Sequence, residues 1–95
     1  PTQAYVAVAS PEVLPEATKL VQELRQAGVS VAQDFGERKL GDQLKAASKH
    51  KIPYVIIVGQ DELMAGAFTI RNLTTGEEEH VGREQLAAYF LAQKI

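Results

Sequence analysis

The sequence predicts an α/β domain in which three parallel strands are followed by a β-hairpin and a final helix. Short apolar runs rich in β-forming residues alternate with segments whose apolar residues recur at helical spacing. Glycine or proline stands at most of the boundaries between these segments. Because strand–helix–strand crossovers are right-handed, two successive crossovers place the first three strands in the spatial order 2-1-3.

The first strand and the first helix are predicted between residues 4 and 28. Residues 4–9 form an apolar run that favours a buried strand. From Leu14 to Leu24 apolar residues recur every three or four positions, which favours an amphipathic helix. We expect Gly28 to end this helix as a left-handed cap.

The second and third strands flank a second helix. Residues 29–33 favour a strand, and an apolar stripe from Leu40 to Ala47 favours a helix that stops before Pro53. Residues 53–59 are apolar almost throughout, which is typical of a central strand covered on both faces.

The last third of the chain has a different pattern, typical of a hairpin and a terminal helix. Its predicted elements are a turn or single helical turn at 60–66, a strand at 67–72, a hairpin connection at 73–76, an edge strand at 77–81 and an amphipathic helix at 83–94. The strand at 67–72 alternates, so Thr69 and Arg71 are expected on its exposed face. Pairing within the hairpin makes the fourth strand antiparallel to its neighbours.

Length and composition indicate one soluble domain. The 95 residues suffice for a single core, and the first residue, Pro1, suggests a fragment of a longer protein. The absence of cysteine excludes disulfides, thiolate nucleophiles and cysteine-based zinc sites. The longest apolar run is far shorter than the roughly 20 residues of a membrane span. With no secretory signal visible, we expect a cytoplasmic protein without membrane contact.

Charge is distributed unevenly along the chain. The net charge is −2, which argues against nonspecific coating of nucleic acid. Between residues 33 and 52, however, five cations face three anions, so this segment carries +2 and the remainder −4. The pattern fits either a local docking surface for an anionic partner or a solvated helix face.

Catalytic and metal-binding motifs are not recognisable. The two histidines, His50 and His80, lie at a predicted helix end and on a predicted edge strand, far from any serine elbow. Two histidines without cysteines make a poor zinc site. Phosphate-loop and dinucleotide fingerprints are also missing. We therefore expect no catalytic residue, no metal and no cofactor in this chain.

A binding crevice is expected where the parallel strands end. In a 2-1-3 sheet this crevice lies outside the carboxyl ends of the first and third strands. Ser10, Pro11 and residues 60–62 should line it, and the turn at 34–39 leaves the second strand at the same end. Carboxylates, amides and cations together suit unpaired bases and phosphates. Phe35 could stack on a base or cap the core.

Several segments resemble the C-terminal anticodon-binding domain of class II aminoacyl-tRNA synthetases, most closely the histidyl branch. The resemblance spans roughly residues 4–91 and rests on Gly36-Glu-Arg-Lys-Leu with Gln43, Ile52-Pro-Tyr, Val58-Gly-Gln-Asp-Glu-Leu63 and Asn72-Leu-Thr-Thr-Gly-Glu77. It implies a three-layer α/β/α sandwich around a mixed five-stranded sheet of order 2-1-3-4-5.

The resemblance also implies which residues contact RNA. Carried over position by position, it nominates Arg38, Lys39, Gln43, Glu62 and Arg71, and after them Phe35 and Lys45. A short turn between adjacent antiparallel strands could bring Glu62 and Arg71 together, either as part of this binding surface or as a surface ion pair. Where the histidyl branch commonly has lysines after the leucine equivalent to Leu40, this chain has Gly41 and Asp42, which lowers the charge of the helix start.

For the longer protein, the resemblance implies a histidine–tRNA ligase that uses ATP and Mg in a separate catalytic domain. The partner would be the anticodon loop of tRNA(His), and residues 1–95 would form one anticodon-binding domain. The parent enzyme would be a homodimer and the isolated domain a monomer. Two alternatives stay open: a similar domain of a related class II synthetase or synthetase-like regulatory protein, and a small-ligand-binding α/β module.

Overall fold

A computed structural model describes residues 1–35 and 38–93. Within them one five-stranded sheet has the order β2-β1-β3-β4-β5. The strands are β1 (Ala4–Val8), β2 (Val31–Gln33), β3 (Tyr54–Val58), β4 (Ala67–Asn72) and β5 (Glu78–Gly82). The helices are α1 (Leu14–Gln26), α2 (Leu40–Lys49), α3 (Gln60–Ala65) and α4 (Leu86–Leu91), and 3-10 turns at Pro11–Val13 and Arg83–Gln85 lead into α1 and α4.

The sheet confirms the predicted topology. β1 lies between β2 and β3 and is parallel to both, which is the predicted 2-1-3 order. β4 is antiparallel to β3 and to β5. β3 is therefore a central strand, as its apolar run predicted.

Helices cover both faces of the sheet, which confirms the three-layer architecture. In β1 successive side chains point to opposite faces. Val6 and Val8 pack with α1 and α4 in the larger core cluster. Tyr5 and Ala7 pack with Ala47 of α2 in a smaller cluster on the other face. The α2 layer is thus the thinner of the two.

The end of α1 determines where β2 begins. Gly28 has a φ of +98°, so the predicted left-handed cap is confirmed. The next N–H, that of Val29, donates to the carbonyl of Leu24 at 2.9 Å and is not available for the sheet. β2 therefore starts at Val31 rather than at residue 29 and has only three residues.

Other differences from the predicted elements concern the second half of the chain. Of the two alternatives predicted for residues 60–66, a turn or a single helical turn, the helical one is close to the structure, where residues 60–65 form the short helix α3. Thr69 is buried, not exposed, since its face of β4 lies beside the α2 layer. β5 begins and ends one residue later than expected. The last helix is shorter than expected because its first turn is 3-10, and Lys94 lies outside the described residues.

No helix among the described residues is long and apolar enough to cross a membrane.

Phe90 anchors α4 to the sheet, and its removal should destabilise the domain. Its ring is fully buried and meets the rings of Tyr54 and Tyr89 edge-to-face, at centroid distances of 5.6 and 5.0 Å. Phe90→Ala should lower the free energy of unfolding by about 3–5 kcal/mol, because it leaves a cavity. Urea denaturation measures this loss. The neighbouring Leu91→Ala, at a position 38% exposed, should cost much less, and equal losses would contradict this role of Phe90.

Candidate nucleic-acid interface

The first three strands end together, and the loops that follow them meet there. We call this side of the sheet its carboxyl end. Ala9 N–H donates to the Val58 carbonyl at 2.8 Å, which holds the ends of β1 and β3 side by side. Beyond them Gln60 Nε2 lies 3.5 Å from Glu12 Oε1. The loops after β1 and β3 therefore lie side by side at this end of the sheet.

An open cavity lies at the carboxyl end of β2. Its volume is about 280 Å³, and it is lined by Tyr5, Gln33, Asp34, Phe35 and Arg38. We call it the β2-end cavity. The side chain of Phe35 is 65% exposed, so it does not cap the core. Of its two predicted roles, stacking on a base and capping the core, only stacking is compatible with this exposure.

A buried carboxylate organises this cavity. Asp34 is only 4% exposed, and its Oδ2 accepts hydrogen bonds from the Tyr5 hydroxyl and from Arg38 Nη2, both at 2.6 Å. Arg38 Nη2 also lies 3.2 Å from the Tyr5 hydroxyl oxygen. A buried carboxylate requires such partners, because burial without them is costly. Arg38 is thus fixed by Asp34 rather than free to follow a phosphate.

The same contacts change the proton affinities of the two donors. Burial, followed by the hydrogen bond and the negative charge of Asp34, raises the pKa of Tyr5 to about 12. The hydrogen bond from Arg38 to Asp34 raises the pKa of the guanidinium above its ordinary value. At neutral pH Tyr5 is therefore a neutral donor and Arg38 a cation.

Gln43 has a structural position, which corrects its nomination as an RNA-contacting residue. It is fully buried in α2. Its Oε1 accepts from Val8 N–H at 2.7 Å, and its Nε2 donates to the carbonyls of Val8 and Arg38, both at 2.8 Å. Since no part of the side chain reaches solvent, it cannot contact RNA in this structure.

Gln43 replaces a strand partner that β1 lacks. β2 pairs with β1 only as far as Val6, whose carbonyl accepts from Asp34 N–H at 2.9 Å. The chain then turns away, and the Gln43 amide pairs with both polar backbone groups of Val8. This arrangement satisfies buried groups that would otherwise be unpaired.

Two of the nominated lysines lie on α2. Lys39 is exposed at the N-cap position of the helix, and Lys45 is exposed one and a half turns later. Neither forms an ion pair with any residue in the described ranges. Both ammonium groups are therefore accessible to an anionic partner.

Glu62 and Arg71 lie at opposite ends of the sheet, so the predicted approach between them is wrong. Glu62 belongs to α3 at the carboxyl end, where its Oε1 lies 2.6 Å from the position that a Cβ on Gly59 would occupy. Arg71 pairs in register with Val55, near the start of β3. Its Nη1 lies 3.4 Å from Glu78 Oε2 on β5.

The sequence reading did not nominate Tyr5 or Asp34, although both shape the cavity. Tyr5 was interpreted only as part of an apolar strand. A signal was present, because the hydroxyl of a buried tyrosine usually finds a hydrogen-bond partner. The partner follows β2, the strand that the 2-1-3 order places next to β1.

Replacement of Gln43 by leucine should destabilise the domain. In Gln43→Leu both polar groups of Val8 lose their partner, at a cost of about 1–3 kcal/mol for each group. Equilibrium urea unfolding measures the loss. Gln22→Leu, on the exposed side of α1, is the matched control and should stay within about 0.5 kcal/mol of wild type. A Gln43→Leu domain as stable as this control would contradict the proposed strand replacement.

Tyr5 should make the stability of the domain sensitive to alkaline pH. Its folded pKa of about 12 lies above the unfolded value of about 10. The stabilisation is therefore complete below pH 10 and is lost as the pH rises toward 12. Between these values the free energy of unfolding should fall more steeply in wild type than in Tyr5→Phe. Urea unfolding of both proteins at several pH values tests this. Equal slopes in wild type and Tyr5→Phe would show that Tyr5 is not the responsible group.

Comparison with known sequences agrees with this geometry. Residues 3–93 match the profile of the anticodon-binding domain family. A histidine–tRNA ligase of Listeria innocua is 43% identical over 81 residues, which are 85% of this chain and 19% of that protein. Histidine–tRNA ligase 2 of Bacillus cereus is 35% identical over 91 residues, or 96% of this chain and 21% of that protein.

Solved structures show the same fold. The histidyl-tRNA synthetase from Nostoc sp. PCC 7120 superposes with a TM-score of 0.90 at 35% identity, over 100% of this chain and 23% of that one. The RNA-binding domain of threonyl-tRNA synthetase from Cryptosporidium parvum superposes with a TM-score of 0.89 over 96% of this chain and 23% of that one. At 23% identity this second likeness shows the fold alone.

The chain spans about a fifth of the length of the curated relatives it matches. The family profile covers nearly all of its residues, and the sheet order and three layers agree with what the sequence resemblance implied. The chain belongs to the anticodon-binding domain family.

Proposed function

We propose that this chain is the anticodon-binding module of a histidine–tRNA ligase and that it holds the anticodon loop of tRNA(His). Its similarity to histidine–tRNA ligases at 43% and 35% identity supports this assignment. The structural observation that carries it is the exposed Phe35 ring beside a fixed Arg38 at an open cavity.

Phe35 and Arg38 can together hold one unpaired base. An exposed aromatic ring provides a stacking surface worth about 1–3 kcal/mol per base. Arg38 uses Nη2 for Asp34 and Tyr5, and its side chain remains 48% exposed, so the rest of the guanidinium can act as a planar donor set. Such a set suits the paired acceptors of a base edge, as on guanine. Asp34 holds this donor set in one orientation.

Lys39 and Lys45 are the proposed phosphate contacts, since both are exposed. Glu62 stays a candidate base reader at the same end of the sheet, two strands away from Phe35 or about 10 Å at the usual strand spacing. Arg71 lies at the other end and is paired with Glu78. We therefore leave it out of the contacts to this loop.

Aminoacylation itself belongs, in this proposal, to a separate catalytic domain of the longer protein. That domain would bind ATP and Mg, while this chain positions the tRNA. We further propose a homodimeric parent enzyme in the cytoplasm. The similarity to histidine–tRNA ligases supports these assignments.

Removal of the Phe35 ring should weaken binding to an anticodon stem-loop RNA. We expect Phe35→Ala to lower affinity about 5- to 150-fold, because a stacking contact of about 1–3 kcal/mol is lost. Fluorescence anisotropy with a labelled stem-loop carrying the GUG anticodon measures this at low salt. A stem-loop with a substituted anticodon should bind wild type less tightly.

Met64→Ala is the matched control, because Met64 is a large apolar side chain that is 88% exposed but lies on α3. It should bind like wild type. Equal affinity of Phe35→Ala and wild type would remove Phe35 from the site. If wild type bound neither stem-loop, the alternative of a small-ligand-binding module would be favoured.

A further inference from the structure

Gly59 stands at a position where space, not backbone conformation, calls for a glycine. It lies between β3 and α3 with a φ of −138° and a ψ of 176°, which are extended values that any residue adopts. A Cβ at this position would lie 2.6 Å from Glu62 Oε1 and 3.2 Å from the Cβ of Ala9. The first distance is shorter than two such atoms can approach. The carboxylate of Glu62 therefore occupies the space that a side chain on residue 59 would fill.

This placement turns Glu62 inward, toward the crevice between the ends of β1 and β3. The side chain is half-buried, and its carboxylate lies near Ala9 at the end of β1. A glutamate at the third position of a helix often accepts a hydrogen bond from the N–H of the residue before the helix. Glu62 accepts none from Gly59, and it forms no ion pair with any residue that the structure describes. A carboxylate partly removed from water without a partner is unfavourable for folding alone.

The charges around Glu62 favour a neutral hydrogen-bond donor as its partner. Residues 9–13 and 59–65, which follow β1 and β3, contain three carboxylates and no cation. A phosphate is repelled by such a surface, whereas an N–H group that carries no negative charge is attracted. An ionised carboxylate only accepts hydrogen bonds, and its two oxygens suit two N–H donors that lie side by side.

Guanine is the base whose edge matches this requirement. Its Watson–Crick edge presents two adjacent donors, N1–H and the 2-amino group. Adenine and cytosine have an acceptor nitrogen beside their amino group, and uracil has one N–H between two carbonyls. A carboxylate held in one position therefore favours guanine over the other three bases.

We propose that Gly59 is a positioning residue for base reading: because it lacks a Cβ, the carboxylate of Glu62 lies at the end of β3, where it accepts hydrogen bonds from N1–H and the 2-amino group of a guanine. The proposal rests on the proposed function, in which Glu62 is a candidate base reader. It adds the base that Glu62 reads and the residue that makes this possible.

A second glycine with the same local geometry provides a matched control. Gly82 precedes the 3-10 turn that leads into α4, and its backbone is also extended, with a φ of −62° and a ψ of 147°. A Cβ there would collide with Gln85 Oε1. In both segments the side chain three residues after the glycine covers it. Gly82 belongs to β5, two strands away from β3, so Gly82→Ala makes the same local change outside the crevice.

Inosine tests the reading of guanine, because it is guanine without the 2-amino group. Stem-loops with the anticodons GUG, IUG and GUI are compared by fluorescence anisotropy. Wild type should bind one inosine loop about tenfold to hundredfold more weakly than the GUG loop, because a hydrogen bond to a charged acceptor is lost. Gly59→Ala and Glu62→Ala should each remove most of this preference. The double variant should lose no more than either single variant, since the two residues act as a unit.

The ratio of two affinities distinguishes positioning from a general structural effect, because a loss of stability weakens the binding of every loop alike. Gly82→Ala should keep the wild-type preference for guanine. Ala9→Gly/Gly59→Ala removes the close contact with Ala9 but keeps the new Cβ beside Glu62, and it should lose the preference as Gly59→Ala does. A wild-type preference in Gly59→Ala, or an equal loss in Gly82→Ala, would overturn the role of Gly59.

Failure of this proposal is distinguishable from failure of the proposed function. If wild type bound the GUG loop and both inosine loops equally well, guanine reading by Glu62 would be wrong, although the domain would still bind the anticodon loop. If wild type bound none of the three loops, the proposed function would be wrong as well.

Discussion

The architecture of the binding end depends on one side-chain amide. β2 stops pairing with β1 at Gln33, and the two polar groups of Val8 beyond it are buried. Gln43 satisfies both and also holds the carbonyl of Arg38. Because α2 supplies the missing partner, the chain after β2 is free to turn outward. The same hydrogen bonds fix the start of α2, and hence Lys39, relative to β1.

The outward turn allows a buried carboxylate to organise an exposed surface. Asp34 lies where the chain leaves the sheet, and its charge is offset by Arg38 and solvated by the Tyr5 hydroxyl. Because Arg38 is already paired with Asp34, it offers a partner oriented hydrogen-bond donors rather than an unpaired positive charge. This arrangement suits the reading of a base edge, whereas attraction of phosphates requires unpaired cations such as Lys39. A count of charges along the sequence does not distinguish these two kinds of cation.

Periodicity was sufficient to predict most of the fold, because each strand and helix buries one face. It predicted the parallel 2-1-3 core, the hairpin and the left-handed cap at Gly28. The site was less predictable. In the sequence Gln43 is simply a polar residue of a helix. The sequence does not reveal that β2 ends early and leaves the polar groups of Val8 for Gln43 to bind. Arg71 was misplaced because α3 turns the chain back, and register with β3 carries it to the far end of the sheet.

The domain therefore has two kinds of polar feature with different physical requirements. Gln43 and Asp34 are buried, so their hydrogen bonds must be complete for the chain to fold. Phe35 is exposed, and folding alone does not favour this position, because its apolar ring meets water. The ring borders the β2-end cavity beside Arg38. This unfavourable exposure is a physical reason to locate binding there rather than along the acidic strand β5.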